Sequence, residues 1–318
     1  MKDYYKVKAI SNTSLSWFQQ SPLAFQRYLE GLIDQEPKTW GIRGSLIHEF
    51  LLEPEEFEKN YEHFDYETPK TEQQKLFCRE VADRGNKRTP TLTDIYSKTY
   101  TVRSKSDEKI KKEAIALQKK YEGYITYLKK SKLVKGILSE SQYNLLHGIK
   151  NEINLHTAAS KLMEIEGLNE FAIYFNDINT KLECKALIDK LIINKTDKEI
   201  VLIDIKTCNT FKNFKDRIKE YNYDRQLAFY WRAVFHHLQN YNWWRNGEDL
   251  EGYKFKTYII AINIKDLTEV KVIEIPEPLL SEADDEVKRL LLRLAWHFEE
   301  DKWQHTREYY NNNGIDKL

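Results

Sequence analysis

Two ionisable side chains stand at alternate positions of the otherwise apolar stretch EIVLIDIKT (199–207): Asp204 and Lys206. In a strand successive side chains alternate faces, so these two share one face while Ile203 and Ile205 take the other. Charge set into an apolar strand is costly unless it is paired or used. The preceding stretch, LECKALIDKLIIN (182–194), carries Asp189, and NKTDK between them reads as a hairpin loop. If that loop is symmetric, Asp189 lies opposite Asp204, with cross-strand Cβ atoms about 4.5–5.5 Å apart. Carboxylates that close repel unless a cation lies between them or one holds a proton. A second hairpin at NDINTK, also taken as symmetric, sets Glu170 of EFAIYFN (170–176) opposite Leu187, on the Asp189 side of the sheet. Glu170, Asp189, Asp204 and Lys206 then share one face of three adjacent strands. That set suits a hard divalent cation with oxygen ligands, Mg²⁺ or Mn²⁺ rather than zinc. Such an ion activates water and stabilises charge developing on a phosphate. The same residues could instead form an ion-pair ladder on an exposed sheet face.

The elements that must position these groups follow from pattern. ISNTSLSWFQQSPLAFQRYLEG reads as a short helix, a Ser-Pro break at 21–22, and a second helix over 22–29 that Gly31 ends. Leu46, Ile47, Phe50 and Leu51 follow helical spacing up to Pro54. In the polar stretch 62–105, TPKTEQQKLF starts a helix and NKRTPTLTD reads as a loop; 106–135 and 140–166 read as helices. After the three strands come a helix over 224–238, strands at 257–264 and 269–275, and a helix over 281–297. The expectation is an α/β fold with a central mixed sheet flanked by helices.

Composition narrows the function less. The 318 residues hold 50 Lys+Arg and 50 Asp+Glu, so any surface for nucleic acid must be a local patch. Lys109, Lys111, Lys112, Lys119, Lys120, Lys129, Lys130, Lys132 and Lys135 form a dense run. It reads as a solvated helix face or as a contact to DNA backbone. Cys78, Cys184 and Cys208 form no CxxC pair and are too few for a four-cysteine cluster. No stretch reaches the about 18–20 apolar residues of a membrane span, and MKDYYKVKAISNTS lacks a signal peptide's apolar core. No GxxxxGK[ST] phosphate loop occurs, hence no ATP motor. The expected location is the cytoplasm of a bacterial host cell.

Asp189-x(14)-Asp204-Ile205-Lys206 resembles the PD-(D/E)xK nuclease signature, with Ile in place of the Pro. Three further blocks, SLSWFQQSPLAF, GSLIHEFLLEPEEF (44–57) and YNYDRQLAFYWRAV (221–234), resemble the RecB-like branch of that superfamily and, within it, the RecE (exonuclease VIII) group. Trp303 fits a tryptophan that closes many such domains. The resemblance implies a restriction-endonuclease-like core in a single nuclease domain over 1–318. Its catalytic part would be 167–240 plus the 40–57 helix, with 62–166 as a helical, Lys-rich insertion. It implies that His48, Glu170, Asp189, Asp204 and the backbone carbonyl of Ile205 bind the metal, and that Lys206 is the catalytic lysine. Gln226 and Tyr230, one helical turn apart, would border the site or anchor their helix to the sheet. Tyr223 is a further candidate in that block. The implied activity is Mg²⁺-dependent degradation of double-stranded DNA from its ends, 5′ to 3′, in phage or prophage recombination. A single-strand annealing protein would be the partner, and the assembly a trimeric or tetrameric ring. A structure-specific or single-strand nuclease, and a nuclease-dead DNA-binding module, are the alternatives.

Overall fold

In the computed structural model the described residues are 4–33, 39–63, 66–85, 87–102, 105–131, 134–240, 250–265 and 268–315, with the side chains of 39–42 and 240 excepted. Lys132 of the lysine run lies outside them. The chain begins with helices α1 (Asn12–Gln20), α2 (Pro22–Glu30) and α3 (Thr39–Leu52). Next come α4 (Pro54–Asn60), strand β1 (Tyr61–His63), helices α5 (Glu72–Arg84), α6 (Leu92–Thr99), α7 (Asp107–Lys120) and α8 (Glu122–Lys130), and strand β2 (Gly136–Leu138). Helices α9 (Glu140–Leu155) and α10 (Thr157–Glu164) lead to strands β3 (Leu168–Asn176), β4 (Glu183–Asn194) and β5 (Glu199–Cys208). The rest is α11 (Phe214–Glu220), α12 (Tyr223–Asn240), β6 (Lys254–Asn263), β7 (Glu269–Glu274), α13 (Glu277–Glu300) and α14 (Arg307–Asn311).

Local chemistry explains the helix ends. Ser11 caps α1 through a reciprocal pair with Ser14, and Ser21 caps α2, whose first residue is Pro22. Gly31 closes α2 at φ 74°, a left-handed conformation that costs glycine little. Two helical stretches break where the pattern suggested continuity. Residues 106–135 divide at Tyr121 into α7 and α8 and then enter β2, and 140–166 divides at His156 into α9 and α10. Within NKRTPTLTD, Thr91 caps α6, so the second half of that expected loop is helix.

The chain forms two compact units, Met1–Glu53 with Ile149–Leu318, and Pro54–Gly148. The second is centred on Phe77, Cys78, Val81, Ile95, Tyr96, Ile110, Ala114, Tyr121 and Ile125. In it Lys109, Lys111, Lys112 and Lys119 lie exposed on α7, while Lys120 pairs with Glu67 and Lys130 with Glu62.

The first unit contains a mixed sheet in the order β3-β4-β5-β6-β7, with β5 and β6 parallel and the other neighbours antiparallel. Helices α11 and α12 make the crossover that a parallel pair requires. Ile200 and Leu202 on one face of β5, and Ile203 and Ile205 on the other, are all fully buried. The sheet is thus covered on both sides, the mixed α/β architecture expected of a restriction-endonuclease-like core. One close approach fixes how β3 enters it: a Cβ at Gly167 would lie 2.9 Å from the Leu191 carbonyl oxygen.

Candidate metal centre and its surroundings

The site lies where two strands part. β4 and β5 pair from Asn194↔Glu199 to Lys190↔Ile203, the register that brings Asp189 opposite Asp204, and there the ladder stops. Beyond this point β5 continues beside β6, and β4 continues beside β3. Ile10 inserts next to β4 at Cys184, on backbone that β5 no longer reaches. A fork leaves polar backbone unpaired, and side chains take it over. The Ile205 N–H donates to Asp189 Oδ2 at 2.6 Å, and the Ile205 carbonyl lies 3.0 Å from His48 Nε2. His48 arrives on α3, which packs against β4 and β5.

The β3–β4 register differs from the symmetric expectation by two residues. The pairs Asn169↔Lys190 and Phe171↔Ile188 flank Glu170, which therefore sits beside Asp189 rather than Leu187. The cause is the turn. Asp177 Oδ2 accepts from the backbone N–H groups of Asn179 and Thr180 and from the Thr180 hydroxyl, so the loop begins one residue later than NDINTK implied. A shift of two keeps the face, because the side-chain period is two. Glu170 itself drops out of the ladder with φ 46°, a left-handed conformation that is strained for a non-glycine residue.

These local facts converge three ligand-type groups. His48 Nδ1 lies 3.6 Å from Asp189 Oδ2 and 3.8 Å from Glu170 Oε1. Ligand atoms of His48, Glu170 and Asp189 all lie within 4.8 Å of one another, a group that could hold a metal ion. Asp204 is outside that group. Lys206 Nζ sits 2.9 Å from its Oδ1 and 2.8 Å from its Oδ2, but only Oδ1 is placed to accept the hydrogen bond. Asp204 Oδ2 is buried with no hydrogen bond among the described residues. The Lys206 ammonium at 2.8 Å partly satisfies its charge, and a divalent cation would complete what that ion pair leaves.

Burial pushes the Asp204 carboxyl up to about 6, with Asp189 adding to the rise and Lys206 opposing it. Burial alone would lower His48, but Asp189 and Glu170 outweigh it and raise the imidazole to about 9. For Lys206, burial also acts downward and is outweighed by Asp204 and Asp189, so the ammonium is held charged. With Nε2–H given to the Ile205 carbonyl, loss of the second proton leaves the Nδ1 lone pair facing the carboxylates.

Helix α12 lines the same face. Lys206 Nζ lies 4.9 Å from the centre of the Tyr223 ring. Gln226 Nε2 donates to Tyr230 Oη at 2.6 Å. Tyr230 is held well above its ordinary pKa by burial and by Asp204 and Asp189. All the expected site residues thus lie on β3, β4, β5, α3 and α12. One contributor escaped sequence reading. Arg225, fully buried beside Gln226, donates through Nε to Asn12 Oδ1 at 2.9 Å and through a terminal nitrogen to Ser16 Oγ at 2.6 Å, and it also binds Gln19 Oε1. It fixes α12 to α1. Only the polar side chains at Asn12, Ser16 and Gln19, spaced one helical turn apart, hinted at a buried partner. Trp303 is buried against Phe25 and His297.

Comparison with known proteins concerns the chain as a whole. Residues 11–309 match the family described as a PDDEXK-like domain of unknown function (DUF3799). Among solved structures, the chain is similar to a protein from Eubacterium rectale described as "Putative exonuclease", at 13% identity and TM-score 0.49, over 98% of this chain and 90% of that one. It is also similar to the protein SSO0001, at 13% identity and TM-score 0.27, over 80% of this chain and 87% of that one. No curated protein matches.

Proposed function

Because the chain belongs to the PDDEXK-like family DUF3799, and so to the PD-(D/E)xK superfamily, we propose that it is a Mg²⁺-dependent exonuclease that degrades double-stranded DNA from its ends, 5′ to 3′. The observation that carries this reading is the fork, where His48, Glu170 and Asp189 present ligand atoms within 4.8 Å of one another beside the Asp204–Lys206 pair. Two carboxylates and one imidazole, with the unbonded Asp204 oxygen next to them, fit a hard divalent cation better than zinc. Mg²⁺ or Mn²⁺ held there supplies an activated water and charge stabilisation at a phosphate.

The chain's own residues do the rest. Lys206 is charged and held against Asp204 and Tyr223, so it neutralises a phosphate oxygen or orients the attacking water, and does not remove a proton. Asp189 has two tasks, ligand and acceptor of the Ile205 N–H, which couples the metal position to the strand fork. The Ile205 carbonyl would be a further oxygen ligand for such an ion if His48 gave up its hydrogen bond to it. Gln226 and Tyr230 form a hydrogen-bonded wall that fixes the depth of the site. The order of SLSWFQQSPLAF, GSLIHEFLLEPEEF, the Asp189–Lys206 block and YNYDRQLAFYWRAV supports a RecE-like enzyme of phage-type recombination. Such an enzyme works as a homo-oligomeric ring beside a single-strand annealing protein, in the host cytoplasm. No helix among the described residues is long and apolar enough to cross a membrane.

The test uses purified protein with Mg²⁺ on linear duplexes labelled at the 5′ or the 3′ end, and on covalently closed circles. Progressive loss from 5′ ends, intact circles and no reaction in EDTA are expected. Fast cutting of circles would assign an endonuclease instead, and DNA binding with no cleavage in any divalent metal would assign a binding module.

A further inference from the structure

Beyond the metal centre, positive charge gathers at the carboxyl end of β5. Lys206 pairs in register with Ala261 on β6, and Ala261 with Lys271 on β7. Residues in register point to the same face, so Lys271 stands on the face that carries Asp204 and Lys206. It is two strands away, about 10 Å at the usual strand spacing. The residue between them, Ala261, is short and fully buried in the core that includes Phe214 and Ile218, so the two ammonium groups stand on either side of that packed layer. Lys271 is exposed, and its Nζ lies 4.6 Å from the ring centre of Phe211, in the turn after β5. Arg217, on α11, donates to the Thr210 carbonyl at 3.2 Å. Both cations act on the Cys208 thiol, two residues beyond Lys206 on the same face: burial and Glu269 raise that thiol's pKa, while Arg217 and Lys271 oppose the rise.

Neither of these two cations is tied to a carboxylate of the described residues, and both stand near the carboxyl end of β5. Elsewhere on the first unit, Arg232 is held by Asp177 and Asp284, Lys219 by Asp224 and Glu282, and Lys256 by Glu199. Among the described residues neither Arg217 nor Lys271 has such a partner. Glu269, two residues before Lys271 on the same strand, accepts from Asn263 Nδ2 at 3.3 Å. In a chain with as many acids as bases, two unpaired cations beside the candidate catalytic lysine leave room for an outside anion.

We propose that Lys271 and Arg217 form a second phosphate-binding position, which takes a phosphodiester of the same DNA strand near the one presented to Lys206. The inference rests on the nuclease reading above. Point charges and no base-reading group make the contact independent of sequence and steeply dependent on salt. Lys206, Lys271 and Arg217 thereby give the strand a direction across the sheet edge.

The experiment compares wild type with Lys271→Gln and Arg217→Gln on one linear duplex. Cleavage is followed with Mg²⁺, binding by fluorescence anisotropy in Ca²⁺ at several salt concentrations, and Mn²⁺ affinity by calorimetry without DNA. Each variant should raise KM and Kd by roughly threefold to tenfold with kcat kept, the size of a typical net hydrogen bond. Each should lower the salt slope of binding by about one. Mn²⁺ affinity should not move, Lys271→Arg should restore binding, and Lys288→Gln on exposed α13 should change nothing. Unchanged Kd and slope in both variants of a cleaving enzyme would overturn the second position and leave the nuclease reading intact. A wild type that binds DNA without cutting it, and loses slope in Lys271→Gln, would keep the position and sink the nuclease. A wild type that binds no DNA sinks both.

Discussion

Metal binding at His48 should release a proton, and the size of the effect follows from its surroundings. Asp189 and Glu170 lie 3.6 and 3.8 Å from Nδ1 and, against burial, raise the imidazole to about 9. The proton they retain occupies the lone pair that a cation would need. With a pKa near 9, His48 is neutral in about one molecule in a hundred at pH 7, and in about one in eleven at pH 8. Metal affinity should therefore rise roughly ninefold over that unit of pH, against about 1.3-fold for an imidazole at its ordinary value. Calorimetric titration of Mn²⁺ into metal-free protein, in two buffers of different ionisation enthalpy, counts the proton directly. About one should leave per ion at pH 7. The sign for stability runs the same way. A histidine raised in the folded state stabilises fully below about pH 6.5 and loses that contribution as pH climbs through about 9, by up to about 3 kcal/mol. The metal-free melting temperature should fall over that window, and His48→Gln should flatten both curves. Affinity that is flat from pH 7 to 8 with no proton released would refute the electrostatic account of the site.

Substitutions at three positions separate the roles of other residues. Lys206→Ala should abolish cleavage while DNA affinity stays within a few-fold. It should also cost about 3–5 kcal/mol at pH 7 by stranding buried Asp204, and the melting deficit should shrink toward pH 5 as Asp204 takes a proton. Arg225→Ala should destabilise by about 3–5 kcal/mol in urea, and Arg225→Lys should recover little, since one ammonium cannot reach Asn12, Ser16 and Gln19 together. Glu170→Asn suits φ 46° but removes one of the two acids that hold the His48 proton, so in thermal melts it should stabilise the metal-free protein by about 1–2 kcal/mol only above about pH 9, where His48 is neutral, while weakening Mn²⁺ binding; a loss of stability at that pH would show that the left-handed backbone carries no strain.

The sheet was legible where periodicity and turn chemistry agree. NKTDK loops symmetrically, so the β4–β5 register and the Asp189–Asp204 juxtaposition could be read from spacing. NDINTK hides an Asx-type turn in which Asp177 collects three donors, and reading it as symmetric placed Glu170 two positions off. The face survived the error and the neighbour did not. His48 could not be placed by pattern, since nothing in a helix says which strand end it meets; only the resemblance of GSLIHEFLLEPEEF pointed to it. Arg225 was opaque for a physical reason. A fully buried guanidinium is rare enough that a sequence with 50 basic residues gives no cause to single one out. Breaks at Tyr121 and His156 were missed because neither is a glycine or proline, and the chain there turns on packing and side-chain caps.

The fork explains why several unfavourable features occur together. Continued pairing of β4 and β5 would satisfy the Ile205 backbone with other backbone, and would leave Asp189 and Asp204 facing each other with no space between. Parting the strands costs those ladder bonds, yet it frees one donor and one acceptor on Ile205, which select a carboxylate and an imidazole. Beside the fork, Glu170 leaves its own ladder with a left-handed backbone and brings a third acidic group toward the same gap. Two of these features destabilise an isolated chain, a strained residue and a buried carboxylate oxygen outside hydrogen-bond geometry, while the third, acids that hold a proton on His48, stabilises it below about pH 9 and occupies the lone pair a metal needs. A divalent cation would act on the last two at once, because it would satisfy the oxygen and replace the proton. Strain observed at one residue implies nothing by itself. Strain, three buried or half-buried acids served by one lysine, and a trapped proton meeting within one strand fork support a site shaped around a further charge that the polypeptide does not supply.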